Sequence, residues 1–307
     1  MHSRLRRGGL EFRGVTRRAR RRVSSRHVGV IAATVASLVA ALLGALAGGG
    51  AAAARPVGSA RVSPPTILQA GELQFCSDIA APPLEYYTAS HVPTGSDVEV
   101  GDAIAKELGL TPVWQDVSFS GIIPALQAGH CDAILSQLYI KPSREKVVEF
   151  VPYMWSSESL VVGKGNPRHV TGLDLSLCGL TVATTTGTTA GTDAQAESAK
   201  CTAAHKKPIS VSLFTNDITA LQQLAIGRAD VYATTTETAA YYLAKRTGLY
   251  EFAGPPYGKI LTGIAVSKGD TALRKAIATA LAAVRAKGAY GAIFRRFGIA
   301  RDELAGR

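Results

Sequence analysis

Pro112-Val113-Trp114-Gln115-Asp116-Val117, the link Ser118-Phe119-Ser120, and then Gly121-Ile122-Ile123-Pro124-Ala125-Leu126-Gln127-Ala128-Gly129 lead into Cys131-Asp132-Ala133-Ile134-Leu135. Pro112–Val117 reads as a strand. Gly121–Ala128 carries apolar residues at helical spacing and is closed by Gly129, and Cys131–Leu135 is a second, compact strand. Strand, helix and strand in immediate succession imply parallel strands joined by a crossover. The same alternation extends outward. Upstream, Leu73–Ser77 is a short apolar strand ending at a turn with Pro82-Pro83, and Val98–Leu108 is a helix stopped by Gly109. Downstream, strands at Leu180–Ala183, Ser210–Leu213 and Ala229–Ala233 alternate with helical patterns over Thr192–Cys201, Ile218–Ala225 and Tyr241–Lys245. Gly263–Val266 then reads as a strand, followed by helices over Thr271–Ala286 and Tyr290–Phe297. The two halves echo one another: Leu126-Gln127-Ala128-Gly129 before Asp132 parallels Leu224-Ala225-Ile226-Gly227 before Asp230. The expected class is α/β in two lobes, each presenting loops at its strand ends.

Charge narrows the function. The chain has 34 basic and 23 acidic residues, a formal net charge of +11, yet residues 1–54 hold ten arginines and one acid. The remainder is close to neutral and offers no electrostatic footprint for nucleic acid. Arg17–Arg26 reads as a basic n-region, Val28–Ala47 as an apolar h-region, and Ala51–Ala54 as a small-residue cleavage site, so 1–54 is expected to be an export signal cleaved near Ala54. A retained membrane anchor is the alternative, because about 20 apolar residues span a bilayer. Residues 55–66, with Pro56, Gly58, Pro64 and Pro65, form a lead-in. Cys76, Cys131, Cys178 and Cys201 are an even set in an exported chain, which favours disulfides over metal or redox chemistry. Residue types alone leave three pairings open. No metal or cofactor is expected.

Several ordered motifs together resemble a known family, the extracellular (periplasmic) solute-binding proteins of the polar amino-acid ABC importer group. They are Asp78 with Pro82-Pro83-Leu84-Glu85-Tyr86, Gly95-Ser96-Asp97-Val98-Glu99-Val100, Phe119-Ser120-Gly121-Ile122-Ile123-Pro124-Ala125-Leu126, Asp132-Ala133-Ile134-Leu135-Ser136, Arg144, Val148-Glu149-Phe150, Gly187-Thr188-Thr189 and Gly227-Arg228-Ala229-Asp230. The resemblance runs from about Ile67 to Phe297. It implies the type II periplasmic-binding-protein architecture, with two lobes joined by two hinge-crossing strands near Ser156–Leu160 and Lys259–Gly263. Lobe one would comprise 67–159 plus 261–307 and lobe two 160–260. The resemblance also implies pairing Cys76 with Cys131 and Cys178 with Cys201.

A site follows from the same resemblance. Arg144 falls where the family grips the ligand carboxylate, and a guanidinium is the side chain that offers a permanently charged bidentate fork. The alternative is a solvated Arg144 on a helix starting near Ser143. Gly187-Thr188-Thr189 is a Gly-containing turn at a helix start whose unpaired N–H groups suit an anion. Ser136, Gln137, Leu138, Tyr139 and Thr185 match pocket-lining positions, Phe119 an apolar wall, and Asp78 a polar contact near the mouth.

This chain departs from the pattern in three places. Thr235 stands where the family has an aspartate for the ligand ammonium, and Glu237, two residues on, either reaches in or faces solvent. Ala81 stands where an aromatic commonly covers the ligand. Tyr139 and Lys141 replace small hydroxyl residues. The expected ligand is an amino acid or a related small carboxylate-bearing solute. The resemblance implies capture by hinge closure, no enzymatic activity, and delivery to a membrane permease of an ABC importer. The rival is a periplasmic prephenate or arogenate dehydratase on the same fold, with Glu237 as general acid. A ligand-sensing domain would share the same site.

Overall fold

The computed structural model describes Ser63 and residues 66–304. The expected export signal over 1–54 and all but a few residues of the 55–66 lead-in lie outside the described residues. In chain order, the first half contains β1 (Glu72–Ser77), β2 (Ala80–Ala81), β3 (Glu85–Tyr87), β4 (Pro93–Thr94), α1 (Ser96–Leu108), β5 (Thr111–Asp116), α2 (Ile122–Gln127), β6 (Ala133–Ile134), α3 (Pro142–Glu145) and β7 (Val148–Gly163). The second half contains β8 (Thr181–Thr185), α4 (Thr189–Ala203), β9 (Ser210–Phe214), α5 (Asp217–Ala225), β10 (Val231–Thr235), α6 (Thr236–Lys245), β11 (Tyr250–Phe252), β12 (Tyr257–Ser267), α7 (Thr271–Ala286) and α8 (Ala289–Arg296).

One continuous sheet runs in the order β5-β1-β6-β12-β7-β10-β8-β9, with β11 added on β7, and β2-β3-β4 form a small separate sheet. The crossover units behave as their spacing predicts: β1 pairs in parallel with β5 and β6, and β8 with β9 and β10. The purely parallel expectation needs correction at the centre. There β12 runs antiparallel to β6 and β7, and β10 antiparallel to β7. The reason is topological: the chain leaves the first group of strands on β7 and comes back to it on β12, so these two meet head to tail. Alternation of strands and helices carries no information about such a return.

Apolar side chains collect in separate cores on either side of this seam. Leu73, Phe75, Ile104, Tyr153, Ile264, Ile277 and Phe294 belong to one, with Ile122, Leu126, Ile134 and Leu138 on the other face of the same strands. Leu160, Val162, Val182, Ala194 and Val231 pack in another, with Val161, Leu221, Tyr232 and Tyr242 across the sheet from them. Each side of the seam therefore buries its own apolar surface, with β12, α7 and α8 returning to pack on the first group of strands, the arrangement that lets two bodies move on the strands they share.

Disulfides join Cys76 to Cys131 and Cys178 to Cys201, spanning 55 and 23 residues. Loop-closure entropy puts their contributions at about 4 and about 3 kcal/mol. Each closes within one set of cores and leaves the seam free. Gly95 matters at the entry to α1. Its φ is +131°, and a Cβ there would run into the Leu84 carbonyl, which accepts the Asp97 N–H at 2.9 Å.

Candidate functional site

The ends of the parallel strands and the starts of the following helices face one cleft. From the first half, Asp78 follows β1, Ala81 lies on β2, Glu85 on β3, Phe119 on a 3₁₀ turn after β5, Ser136, Gln137 and Tyr139 after β6, and Arg144 on α3. From the second half come Thr185 at the end of β8, Thr188 and Thr189 at the start of α4, Asp217 at the start of α5, and Thr235 and Thr238 at the start of α6. Glu158 reaches the cleft from the crossing strand β7. These residues enclose about 450 Å³, open mouth included.

The two halves touch across the cleft. Arg144 Nη1 donates to the Tyr139 carbonyl at 3.0 Å and Nη2 donates to the Gly187 carbonyl on the opposite side at 3.3 Å. The guanidinium carbon stands 5.5 Å from the Phe119 ring centroid, a cation–π arrangement that fixes its height over the cavity floor. Lys141 Nζ donates to Thr189 Oγ1 across the cleft at 3.2 Å. Gly187 abuts Ser120 so closely that a Cβ would sit 3.2 Å from Ser120 Cα. The Tyr86 and Tyr241 rings approach to 5.8 Å.

Helix capping explains the second-half wall. The Thr188 hydroxyl donates to the Thr185 carbonyl at 2.7 Å and accepts the Gly191 N–H at 3.3 Å, capping α4. Asn216 caps α5 through Thr219, which leaves the next residue, Asp217, available to the cleft. Thr235 caps α6. Three helix starts thus converge on the cavity, each carrying partial positive charge.

Against that positive field the cleft sets an unusual number of acids. Burial, with the charges of Asp217 and Asp116, pushes Asp78 up to about 7. Burial, aided by Asp193, Glu237 and Asp217, pushes Glu158 up to about 8. Glu85 is raised well above the usual carboxylate range, chiefly by burial and then by the neighbouring Asp97 charge. Asp217 is also raised by burial, although it accepts from the Tyr232 and Thr234 hydroxyls. Burial lowers the Arg144 guanidinium pKa while Tyr139 and Glu158 raise it; an arginine remains charged in any such setting.

Ten of the thirteen residues expected from sequence to bind the ligand line the cavity: Asp78, Phe119, Ser136, Gln137, Tyr139, Arg144, Thr185, Thr188, Thr189 and Thr235, and Ala81 lines it as well. Three do not. Leu138 turns into the apolar core beside Ile134, because Gln137 adopts a left-handed φ of +44° that breaks the alternation of the segment. Gly187 borders the site through its carbonyl, which accepts from Arg144 Nη2. Glu237 neither faces solvent nor lines the cavity. It is buried behind it, its Oε2 accepting from Gln137 Nε2 at 2.8 Å and Ser156 Oγ at 2.9 Å.

Sequence reasoning missed Glu85, Glu158, Asp217 and Thr238. Asp217 was legible as the acid next to the Asn216 cap. Glu158 carried no local signal. His130, His169 and His205 are exposed, away from the cavity.

Comparison with known proteins agrees with this geometry. Residues 73–300 match the bacterial extracellular solute-binding proteins, family 3. The L-arginine-binding protein of Pseudomonas aeruginosa is 30% identical, over 75% of this chain and 88% of that protein. A solved structure of an ancestral arginine-binding protein bound to arginine superposes with a TM-score of 0.68 at 30% identity, covering 74% of this chain and 98% of the other. An ancestral amino acid-binding protein that is a precursor of cyclohexadienyl dehydratase superposes at 0.67 with 28% identity, covering 74% and 95%. These relatives share the two-lobed type II architecture, and this chain belongs to the bacterial extracellular solute-binding proteins, family 3.

Proposed function

We propose that the protein is the amino-acid-binding component of an ABC importer and that its ligand is an α-amino acid with a basic side chain. The observation that carries this reading is the excess of acidic over basic side chains in one cavity: Arg144 against Asp78, Glu85, Glu158 and Asp217. A carboxylate suits the Arg144 fork and the start of α4. An anionic side chain would add to the acids already crowded there, whereas a cationic one relieves the mutual repulsion of Asp78 and Asp217 across the cleft. The arginine-binding relatives support the same class. Lobe one is taken as 67–159 plus 261–307 and lobe two as 160–260, closing on the β7 and β12 crossings. Residues 1–54 serve as an export signal, and the closed form is handed to a membrane permease.

The dehydratase reading is disfavoured because its named acid, Glu237, is separated from the cavity by Gln137 and Ser156. The test is a thermal-shift and calorimetric screen of L-arginine, L-lysine, L-ornithine, L-glutamine, L-cystine and L-glutamate, with prephenate turnover assayed in parallel. Binding of a basic amino acid that Arg144→Ala abolishes is expected. Preference for L-glutamate overturns the basic-ligand reading, and turnover of prephenate overturns the binding-protein reading.

A further inference from the structure

We propose that Glu158, on the crossing strand, receives the ligand's α-ammonium group, a role that neither Thr235 nor Glu237 fills. The assignment rests on the amino-acid reading above and names the residue that completes it. Glu158 is 2% exposed, lines the cavity, and its Oε2 has no hydrogen-bond partner among the described residues. A buried carboxylate oxygen left unpaired costs free energy that a cationic donor would recover.

Position within the sheet supplies the second argument. In the antiparallel β7–β10 ladder, Glu158 stands directly opposite Thr235. Opposed residues in such a ladder project from the same face with their Cβ atoms about 5 Å apart. Both side chains line the same cavity. The carboxylate missing at Thr235 is therefore supplied by its cross-strand neighbour, within one side chain's reach of the same point.

The third argument is proximity to Arg144. The carboxylate and ammonium of an α-amino acid sit on one carbon, so their receptors must be adjacent. Among the cavity carboxylates, Glu158 is the one whose charge acts on the Arg144 guanidinium, and the Tyr139 side chain, which also acts on Arg144, interacts with Glu158. The other acids are occupied or placed elsewhere. Asp217 accepts from the Tyr232 and Thr234 hydroxyls, Asp78 faces the like charges of Asp217 and Asp116, and Glu85, although its Oε2 is also unpaired, lies on β3 and accepts from Ser136. Glu237 already accepts two hydrogen bonds outside the cavity.

The test pairs each amino acid with its desamino counterpart: L-arginine with 5-guanidinopentanoic acid, and L-glutamine with 4-carbamoylbutanoic acid. The full chain and Glu158→Gln are titrated calorimetrically at neutral pH, with Glu237→Gln as a second variant. Removing one partner of a buried charge pair weakens binding on the order of 100-fold. Glu158→Gln is expected to lose about that factor for the amino acid while keeping the wild-type affinity for the desamino compound, so discrimination between them collapses. Glu237→Gln is expected to keep the discrimination. Retained discrimination in Glu158→Gln overturns the assignment, and so does an equal loss of both ligands, which would place Glu158 in closure. A wild-type protein that binds neither amino acid overturns the amino-acid reading itself, and the assignment with it.

Discussion

If Glu158 meets the ligand's ammonium, binding must expel a proton, and the amount follows from its surroundings. In the free protein Glu158 is pushed up to about 8, burial being the main cause and Asp193, Glu237 and Asp217 adding to it. Near pH 7 such a group is about nine-tenths protonated. A cation placed against a carboxylate lowers its pKa by about 1–3 units. With a drop of about two units, to about 6, the bound form is about one-tenth protonated at the same pH, so binding releases about 0.8 proton. The same linkage weakens affinity about 40-fold between about pH 8.5 and about pH 6, roughly 2 kcal/mol. Calorimetry with L-arginine in two buffers of different ionisation enthalpy counts the protons directly. Asp78 and Glu237, both raised to about 7, titrate in the same window, so the decisive quantity is the difference between wild type and Glu158→Gln. Equal proton release by the two proteins refutes the reasoning, and so does a wild-type affinity that stays flat over this range. The sign for the free protein is also fixed. A folded pKa raised above the unfolded value gives stability that is complete below about 4.5 and lost as pH rises through about 8. The free protein should melt lower with rising pH over that interval, while the stabilisation conferred by ligand grows.

Two further outcomes test the frame around the site. Glu237→Gln weakens the joint that links α6 to Gln137 and Ser156, two hydrogen bonds to a charged group worth about 1.5–3 kcal/mol each before compensation; ligand affinity should fall about tenfold with unchanged preference among amino acids, measured by calorimetry, and an altered preference would place Glu237 on the ligand. Gly95→Ala forces a Cβ against the Leu84 carbonyl at a φ of +131°, so thermal unfolding should report a loss above about 3 kcal/mol, and a loss under about 1 kcal/mol would mean that the α1 entry is freely adjustable.

The parts of the site that were legible in the sequence are those written in local grammar. Thr188 and Thr189 announce a helix start after a Gly-containing turn, and Arg144 sits just past Pro142-Ser143, a helix entry, so local sequence alone places both at helix starts. Leu138 went astray because a non-glycine residue, Gln137, takes a left-handed φ and reverses the side-chain alternation, which no propensity at that position signals. Glu158 was invisible for a different reason. It lies in Trp155-Ser156-Ser157-Glu158-Ser159, a polar run that resembles a loop, yet it occupies the middle of the sixteen-residue strand β7. Its facing is decided by pairing with β10 and β12, contacts between distant parts of the chain. The antiparallel seam was hidden in the same way, because strand direction depends on where the chain returns and not on what the strand contains.

The acids in the cleft also answer the doubt that Thr235 raised about an α-amino acid. A carboxylate at the end of β10 and one directly opposite on β7 project into the same space, so the ammonium site depends on the strand pair and not on either position alone. The strand that now carries it changes the mechanics. Thr235 moves with the second half of the molecule, whereas Glu158 belongs to the crossing strand itself, next to Ser156, which bonds to both Tyr139 and Glu237. A cation drawn to Glu158 therefore acts at the hinge, where Tyr139 and Glu237 approach from opposite halves. Ligand charge and lobe closure are then coupled through one short stretch of β7, and an amino acid lacking its ammonium should bind without the same tightening of the closed form.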